Sequence, residues 1–307
     1  MAVKTDLENC DSNPRGTWFD GCKVAMRDIV KMFLLSPRAN LDATDVLSKA
    51  TIAGLIKRGL LVPINDILSV SEAGAKTNYQ TLPNKRKLFV SNGLYEFNPD
   101  VEANICYVKA LHSLSKKNWE LLVVDSEGRL FFDNKAGKLR GYDLNVFIPG
   151  NETVNDGGSK IAMVTIDIQL SQDGTKGYNT RRSFKVDSAD DTYFTEIKGK
   201  QDVVISNSGA SLDVLQFRLN VLAGCDGTSP IEGLTTENIL VKDAATGAPI
   251  AVTWVDNNDG TYTPTGLTAG DRVIQLFDSV LNLPVADIEN SQFYQSNALA
   301  VSLTDLL

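Results

Sequence analysis

The residue types that perform chemistry in proteins stand singly along this chain, and their spacing matches no catalytic pattern. His112 is the one histidine among 307 residues, and a histidine activates a nucleophile only when the two side chains lie within hydrogen-bond reach. The sequence contains no G-x-S-x-G, Walker A or H-E-x-x-H segment. We therefore predict no catalytic residue and no enzymatic activity.

Three further segments could hold an ion or a phosphate, but each favours a simpler interpretation. Asp256-Asn257-Asn258-Asp259-Gly260 carries calcium-type oxygen ligands, yet Leu267 stands where an EF-hand loop needs its glutamate. Asp-Gly is in itself a hairpin-turn signal. Gly157-Gly158 lies in a polar stretch with no helix after it, and Asp190-Asp191 comes with no aromatic cleft. We predict no metal site and no cofactor site.

The cysteines also fail to form a metal-binding pattern. Cys10, Cys22, Cys106 and Cys225 include no C-x-x-C pair, and a structural zinc site needs four close ligands. Cys10 and Cys22 are close enough in sequence to form a disulfide. The first residues lack the apolar segment of a secretory signal, however, so the sequence favours folding in a cytoplasm with free thiols.

Composition excludes two other classes of protein. Hydrophobic residues make up 43% of the chain and charged residues 22%, as in ordinary globular domains, and no apolar run is long enough for a membrane helix. The net charge is −8, whereas a protein that grips nucleic acid normally has a basic excess. The short basic clusters Lys85-Arg86-Lys87 and Arg181-Arg182 are interpreted as solvated loop charge.

The N-terminal part of the chain predicts helices between irregular segments. Met26 to Leu34 has apolar residues at helical spacing, although its β-branched content also allows a strand. A clearer helix runs from Val46 to Arg58, with Asp42 or Thr44 as N-cap and Gly59 just after its end.

The next part predicts a hairpin and a third helix. Lys87 to Val90 and Leu94 to Phe97 are apolar runs separated by a turn signal. Asn98 is placed to cap a helix with Pro99 in its first turn, and this helix would end near Lys117.

Strands dominate the middle of the chain. Trp119 to Asp125 is the strongest strand signal, and a turn leads from it into Arg129 to Phe132. Ile161 to Leu170 alternates between polar and apolar residues, as a half-buried strand does. Asp173 to Tyr178 is expected to be a loop tip. Two shorter strands are predicted at Phe184–Val186 and Val203–Ile205.

The C-terminal third predicts a two-sheet module. Its β-branched and aromatic runs are separated by Asp, Asn and Gly turns, which is typical of hairpins. The runs are Ile239–Val241, Ala251–Val255, Thr261–Thr263 and Val273–Phe277. This region resembles the immunoglobulin-like domains of bacterial and phage surface proteins. The small polar residues of Ser206–Ser211 are typical of a linker, so we predict domains at residues 1–210 and 211–307.

The first two thirds resemble structural proteins of tailed phages, most closely tail tube proteins that carry an appended immunoglobulin-like domain. The resemblance rests on short segments that occur in the same order. They are Gly16 to Cys22, Lys57-Arg58-Gly59, Val62-Pro63, Val124 to Gly128, and Lys138 to Tyr142.

This resemblance implies a mainly β (α+β) protein, with a tail-tube-like β-sandwich or barrel and flanking helices before an immunoglobulin-like β-sandwich. Such subunits form stacked rings, usually hexameric, around a channel through which DNA passes without sticking. The implied partners are further copies of the chain and other tail proteins, with no membrane. The implied location is the virion, after synthesis in the host cytoplasm.

Two alternatives stay open at this point. The N-terminal helices exceed what a minimal tube fold needs, which would also suit a neck, baseplate or capsid-associated protein. A host-surface or glycan-binding module would instead need exposed aromatic side chains, for which Trp254 and Tyr262 are the candidates, although large aromatics usually fill sandwich cores.

Overall fold

A computed structural model divides the chain into two compact units. Unit 1 comprises Met1–Ile52 and Leu60–Ile197, and unit 2 comprises Ala53–Gly59 and Lys198–Leu307. The structure describes residues 4–8, 28–42, 47–74, 78–91, 93–102, 105–151, 153–154, 162–179, 182–186, 194, 196–209, 211–223, 228–288 and 292–305.

Unit 1 is built mainly of strands. They are β1 (Lys4–Glu8), β2 (Ile29–Leu35), β3 (Leu41–Asp42), β4 (Leu61–Ile64), β5 (Ile67–Ala73), β6 (Asn78–Thr81), β7 (Lys87–Ser91), β8 (Glu96–Glu102), β9 (Glu120–Asp125), β10 (Arg129–Lys135), β11 (Lys138–Arg140), β12 (Tyr142–Pro149), β13 (Thr153–Val154), β14 (Ala162–Leu170) and β15 (Arg182–Val186). The helices are α1 (Lys49–Lys57), whose second half belongs to unit 2, α2 (Ile105–Leu114) and α3 (Gln172–Asn179).

Most of these strands belong to one 13-stranded sheet that curves around a hydrophobic core. Pairing runs from β4 through β2, β9, β12, β14 and β8 to β5. Only Asn65 and Asp66 separate β4 from β5, so the path returns to the segment where it began. The enclosed core includes Leu34, Phe97 and Tyr142, each fully buried.

The strongest predicted strands are confirmed. Glu120–Asp125 is buried along its whole length, because both faces of β9 are covered: Leu121 and Val123 enter the enclosed core, and Leu122 and Val124 are buried on the opposite face. The alternation in Ala162–Leu170 also holds. Val164, Ile166 and Ile168 enter the core, while Thr165 and Asp167 face solvent.

The predicted helix before Gly59 is confirmed, but it begins later than expected. The N–H of Thr51 donates to the Ser48 hydroxyl at 3.2 Å, so Ser48 serves as cap. Asp42 lies in β3, and Thr44 is outside the described residues. Gly59 has a φ of 68°, the left-handed conformation that suits glycine after a helix.

Two helical predictions are corrected, because the residues concerned pair as strands. The described part of the segment from Met26 is the strand β2, which pairs with β4 on one side and with β9 on the other. Asn98 and Pro99 lie inside β8, where Phe97, Pro99 and Val101 are buried in alternation. The helix α2 starts only at Ile105.

Two loop and hairpin predictions are also wrong. Lys87–Ser91 pairs with Asn78–Thr81, whereas Glu96–Glu102 pairs with β14 and β5. The expected loop tip at Asp173 is helix α3, in which Gly174 permits very close approach to β12. A Cβ atom on Gly174 would lie 2.2 Å from the carbonyl oxygen of Asp143.

Unit 2 contains two sheets that share one core. The strands are β16 (Lys200–Asn207), β17 (Leu219–Ala223), β18 (Ile239–Asp243), β19 (Pro249–Ile250), β20 (Thr253–Asp256), β21 (Thr261–Thr265), β22 (Gly270–Leu276), β23 (Val285–Ile288), β24 (Gln292–Ser296) and β25 (Leu299–Leu303). One sheet has the order β20-β21-β17-β16-β24-β23 and the other β19-β18-β22-β25. Val221 and Ile274 belong to different sheets but to the same buried cluster.

The division between the units falls earlier than the linker proposed from the sequence. Unit 2 resumes at Lys198, and Ser206 is a strand residue because β16 pairs with β17 and β24. Ala210 is outside the described residues. Among the described residues, no helix is both long enough and apolar enough to span a bilayer.

Candidate functional site: an acidic sheet face

The residues first considered for chemistry do not come together. His112 is exposed on α2, and Gly157-Gly158 and Asp190-Asp191 lie outside the described residues. In the described parts of the chain, no group of three His, Cys, Asp or Glu side chains could hold a metal ion.

The acidic turn after β20 uses its carboxylates to build the turn. Asp256 Oδ1 accepts the N–H of Asn258 at 2.8 Å, and Asp259 Oδ1 accepts the N–H of Thr261 at 2.9 Å. Hydrogen bonds from the side chain and backbone of Thr261 lower the pKa of Asp259. Asn258 and Gly260 both have positive φ, which is typical of tight hairpin turns. The segment therefore joins β20 to β21, as its sequence predicts.

The two candidate glycan-contacting aromatics are core residues. Trp254 is 5% exposed and Tyr262 is fully buried. The Tyr262 hydroxyl donates to the carbonyl of Ile231 at 2.8 Å and accepts the N–H of Leu234 at 3.3 Å. Neither ring can therefore serve as an exposed platform for a sugar.

The cysteine prediction needs a correction. Cys106 is disulfide-bonded, not a free thiol, and its partner lies outside the described residues, as do Cys10, Cys22 and Cys225. The expectation of free thiols rested on the reducing environment of a cytoplasm. Whether two cysteines come within bonding distance is set by the fold.

A different feature of unit 1 stands out, namely four strands that carry acidic residues and no lysine or arginine. These strands are β5, β8, β12 and β14. Their acidic residues are Glu72, Glu96, Asp100, Glu102, Asp143 and Asp167. The strands are neighbours in the order β12-β14-β8-β5, so their charges gather on one region of the sheet.

Strand alternation places part of this set on the solvent side. Phe97 and Val101 of β8 point into the core, and therefore Glu96 and Asp100 point outward. Asp167 of β14 is exposed for the same reason. We call the outward surface formed by Glu96, Asp100, Asp167 and their polar neighbours the acidic face. Glu72 differs, because its carboxylate accepts the hydroxyl of the core residue Tyr178 at 3.1 Å.

Neutral cross-strand donors hold the carboxylates of the acidic face. Asn98 Nδ2 donates to Asp167 at 2.8 Å, and Gln169 Nε2 donates to Glu96 at 2.7 Å. Asp100 accepts from the Thr165 hydroxyl at 2.6 Å and from the Ser69 hydroxyl at 2.8 Å. These bonds orient the carboxylates across strands that are far apart in sequence.

The negative charge of the acidic face is not neutralised by its hydrogen-bond partners. The donors are amides and hydroxyls, and in the described residues no ion pair joins Glu96, Asp100 or Asp167 to a basic side chain. A surface of this kind repels polyanions over about 10 Å at 0.1 M salt. It can also attract basic partners.

Sequence reasoning missed the acidic face because its carboxylates come from two strands, β8 and β14, that are far apart in the sequence. The available signal was the alternation of Ile161 to Leu170, which correctly put Asp167 on the polar side. The outward orientation of Glu96 and Asp100 could not be predicted, because Asn98-Pro99 was interpreted as the start of a helix.

Comparison with known proteins assigns no relative. No protein-family model matches this chain, and no curated protein is significantly similar to it. The argument for function therefore rests on architecture and charge.

Proposed function

We propose that the chain is a structural protein of a tailed phage, whose copies form stacked rings of a tail tube that conducts DNA. The observation that carries the proposal is the acidic face. It is a hydrogen-bonded sheet surface with three outward carboxylates on β8 and β14, and neither these strands nor their neighbours β5 and β12 contain a basic residue. The mainly β architecture of unit 1 agrees with the tube-like body expected from the resemblance.

The charge of the acidic face suits a wall past which DNA must slide. Duplex DNA carries about one phosphate charge per 1.7 Å, and lysine-rich surfaces hold it by releasing counterions. A wall that presents Glu96, Asp100 and Asp167 would repel the phosphates instead. In the proposed ring, the acidic face lines the channel and DNA is cargo without a binding site.

Unit 2 is proposed to be an immunoglobulin-like domain on the same subunit. Two sheets share a core that includes Trp254 and Tyr262, which suits a sandwich whose aromatics are structural. Their burial argues against a glycan-binding role for these two side chains. We therefore favour a structural role in the virion, with other tail proteins as further partners and no catalytic activity.

Negative-stain microscopy of the purified full-length chain tests this proposal directly. We expect rings, most simply hexameric, that stack into tubes as concentration rises, with light scattering increasing in parallel. A chain that stays monomeric at every concentration and salt condition would overturn the proposal.

A further inference from the structure

The hairpin formed by β6 and β7 has the features of a docking element. Its two strands form a separate two-stranded sheet, and a two-stranded hairpin alone is only marginally stable in water. Tyr79 is 55% exposed and Leu88 is 50% exposed. Such apolar side chains gain stability when a partner covers them.

The loop of this hairpin is ordered and basic. The N–H of Leu82 donates to the carbonyl of Arg86 at 2.8 Å, and the N–H of Lys85 donates to the carbonyl of Leu82 at 2.9 Å. Lys85, Arg86 and Lys87 are all exposed, and residues 78–91 include no acidic side chain. Within the described residues, no ion pair involves these three side chains. The hairpin therefore presents uncompensated positive charge on a chain whose net charge is −8.

A complementary acidic site lies at the opposite end of the strands that flank the hairpin. The hairpin follows Ala73 at the end of β5 and precedes Glu96 at the start of β8. At the other end of this antiparallel pair, the N–H of Glu102 donates to the carbonyl of Asp66 at 2.9 Å. Both carboxylates are exposed, and no ion pair to either occurs in the described residues. We call Asp66 and Glu102 the acidic end.

The basic hairpin is connected to one end of the β5–β8 pair, and the acidic end lies at the other. Seven strand rises, roughly 23 Å, separate Asp66 from Ala73 at the other end of β5. Two different complementary patches on one chain make a head-to-tail contact, which propagates from copy to copy instead of closing a two-fold dimer.

We propose that the β6–β7 hairpin of one copy docks on the acidic end of a second copy, with Lys85, Arg86 and Lys87 facing Asp66 and Glu102. Tyr79 and Leu88 become covered in the same contact. The inference rests on the proposed tube function, in which it supplies the axial contact between one ring and the next. It leaves the acidic face free to line the channel.

Charge reversal in the full-length chain tests the contact. The variant K85E/R86E/K87E should raise the concentration at which stacking begins by at least roughly tenfold, as measured by light scattering and microscopy. The reciprocal variant D66K/E102K should show the same loss. Combining all five changes restores opposite charges across the contact and should restore stacking. Stacking of the wild type should also weaken between about 0.05 and 0.5 M NaCl.

Two controls separate docking from folding. K109E/K116E/K198E changes the net charge equally at three exposed lysines elsewhere and should stack like the wild type. Lys85 has a φ of 64°, so K85G relieves backbone strain while removing one charge. K85G should keep or raise the melting temperature and still stack less well.

The outcomes distinguish this inference from the proposed function. Rings that persist while stacks are lost in K85E/R86E/K87E would support both. If the wild type forms rings and tubes and both charge-reversal variants stack equally well, the docking contact is overturned and the tube proposal stands. The same holds if each reversal abolishes stacking but the combination of all five changes does not restore it. A wild-type chain that never assembles would overturn both.

Discussion

At the scale of single residues, one buried cation anchors a segment of unit 2. Lys57 Nζ lies 2.7 Å from Asp278 Oδ2 and 2.9 Å from Asp287 Oδ1. The side chains of Lys57 and Asp278 are only 10% and 6% exposed. Burial by itself lowers the pKa of Lys57, but hydrogen bonds to the two carboxylates and their negative charges together outweigh it, and the net pKa is raised.

Replacing Lys57 should therefore be costly. Lys57→Met keeps most of the side-chain length but leaves two carboxylates without their cation. Breaking a buried ion pair from one side typically costs about 3–5 kcal/mol, and we expect a loss near the lower value in urea unfolding. The neighbouring Arg58 is exposed, and Arg58→Met should change the free energy of unfolding by less than about 0.5 kcal/mol. Equal effects of the two changes would contradict the role assigned to Lys57.

The pH dependence of this difference has a defined sign. Burial raises the pKa of Asp278, but the hydrogen bond and charge of Lys57, together with the N–H groups of Leu281 and Val280, outweigh it, so the net pKa is below 3.8. A lowered carboxyl pKa stabilises the fold above the unfolded value and loses that stabilisation as pH falls through the folded value. The raised pKa of Lys57 stabilises below 10.5 and is lost at higher pH. The difference in free energy of unfolding between the wild type and Lys57→Met should therefore be constant from about pH 5 to 9 and become smaller below pH 3.8.

At the scale of elements, α3 depends on glycines at its contact with the sheet. A Cβ on Gly174 would meet the backbone of Asp143, and one on Gly177 would lie 2.5 Å from Asp133 Oδ2. Burial raises the pKa of Asp133 against the influence of Lys135, in keeping with this close cover. The two glycines are thus needed for packing, although they weaken the helix itself.

The same substitution should therefore have opposite effects in two helices. Gly174→Ala forces α3 away from β12 and should lower the free energy of unfolding by about 1–3 kcal/mol, as overpacking does. Gly54 in α1 has no atom within 4 Å of a Cβ position, so Gly54→Ala should stabilise by about 0.5–1 kcal/mol. Thermal unfolding of both variants measures the contrast. A destabilising Gly54→Ala or a neutral Gly174→Ala would contradict the packing described here.

An element of this fold could be predicted from the sequence when its own residues carry the signal, and could not when contacts with distant segments determine its structure. Strands β9 and β14 were predictable because their own residues carry the burial pattern. Helix α3 was not, because glycines at Gly174 and Gly177 signal a loop locally, and only the approach of β12 explains them. Asn98-Pro99 has a strong local helix-start signal, but pairing of β8 with β14 and β5 overrides it.

The candidate site was harder to predict than the fold for a related reason. Each carboxylate of the acidic face is unremarkable in its own segment. Their meaning depends on the order β12-β14-β8-β5, which places distant segments side by side. The net charge of −8 suggested an acidic surface, but a total charge contains no information about where that surface lies.

At the scale of the whole molecule, charge determines how the protein should respond to DNA. The wild type should not bind duplex DNA measurably at about 0.15 M salt. E96K/D100K/D167K turns the acidic face basic and should create salt-sensitive binding in a fluorescence anisotropy titration. E232K/E237K/D305K makes the same change in net charge at exposed positions of unit 2. This control should bind duplex DNA at least roughly tenfold more weakly than E96K/D100K/D167K does. Tight wild-type binding would contradict a repulsive wall.

Unit 2 consists of two stretches that are far apart in the sequence, and this affects both the synthesis of the chain and its recombination with other genes. Unit 2 needs Ala53–Gly59 as well as Lys198–Leu307, and the ribosome makes these stretches roughly 7 to 28 seconds apart at ordinary elongation rates. Ala53, Leu55 and Ile56 are buried in the finished protein and belong to unit 2, so the unit that contains them is complete only after the last third of the chain has been made. Recombination that moved only the C-terminal third to another gene would leave Asp278 and Asp287 without Lys57. Transfer of the C-terminal third alone would therefore separate unit 2 from Ala53–Gly59, a helical segment that belongs to it.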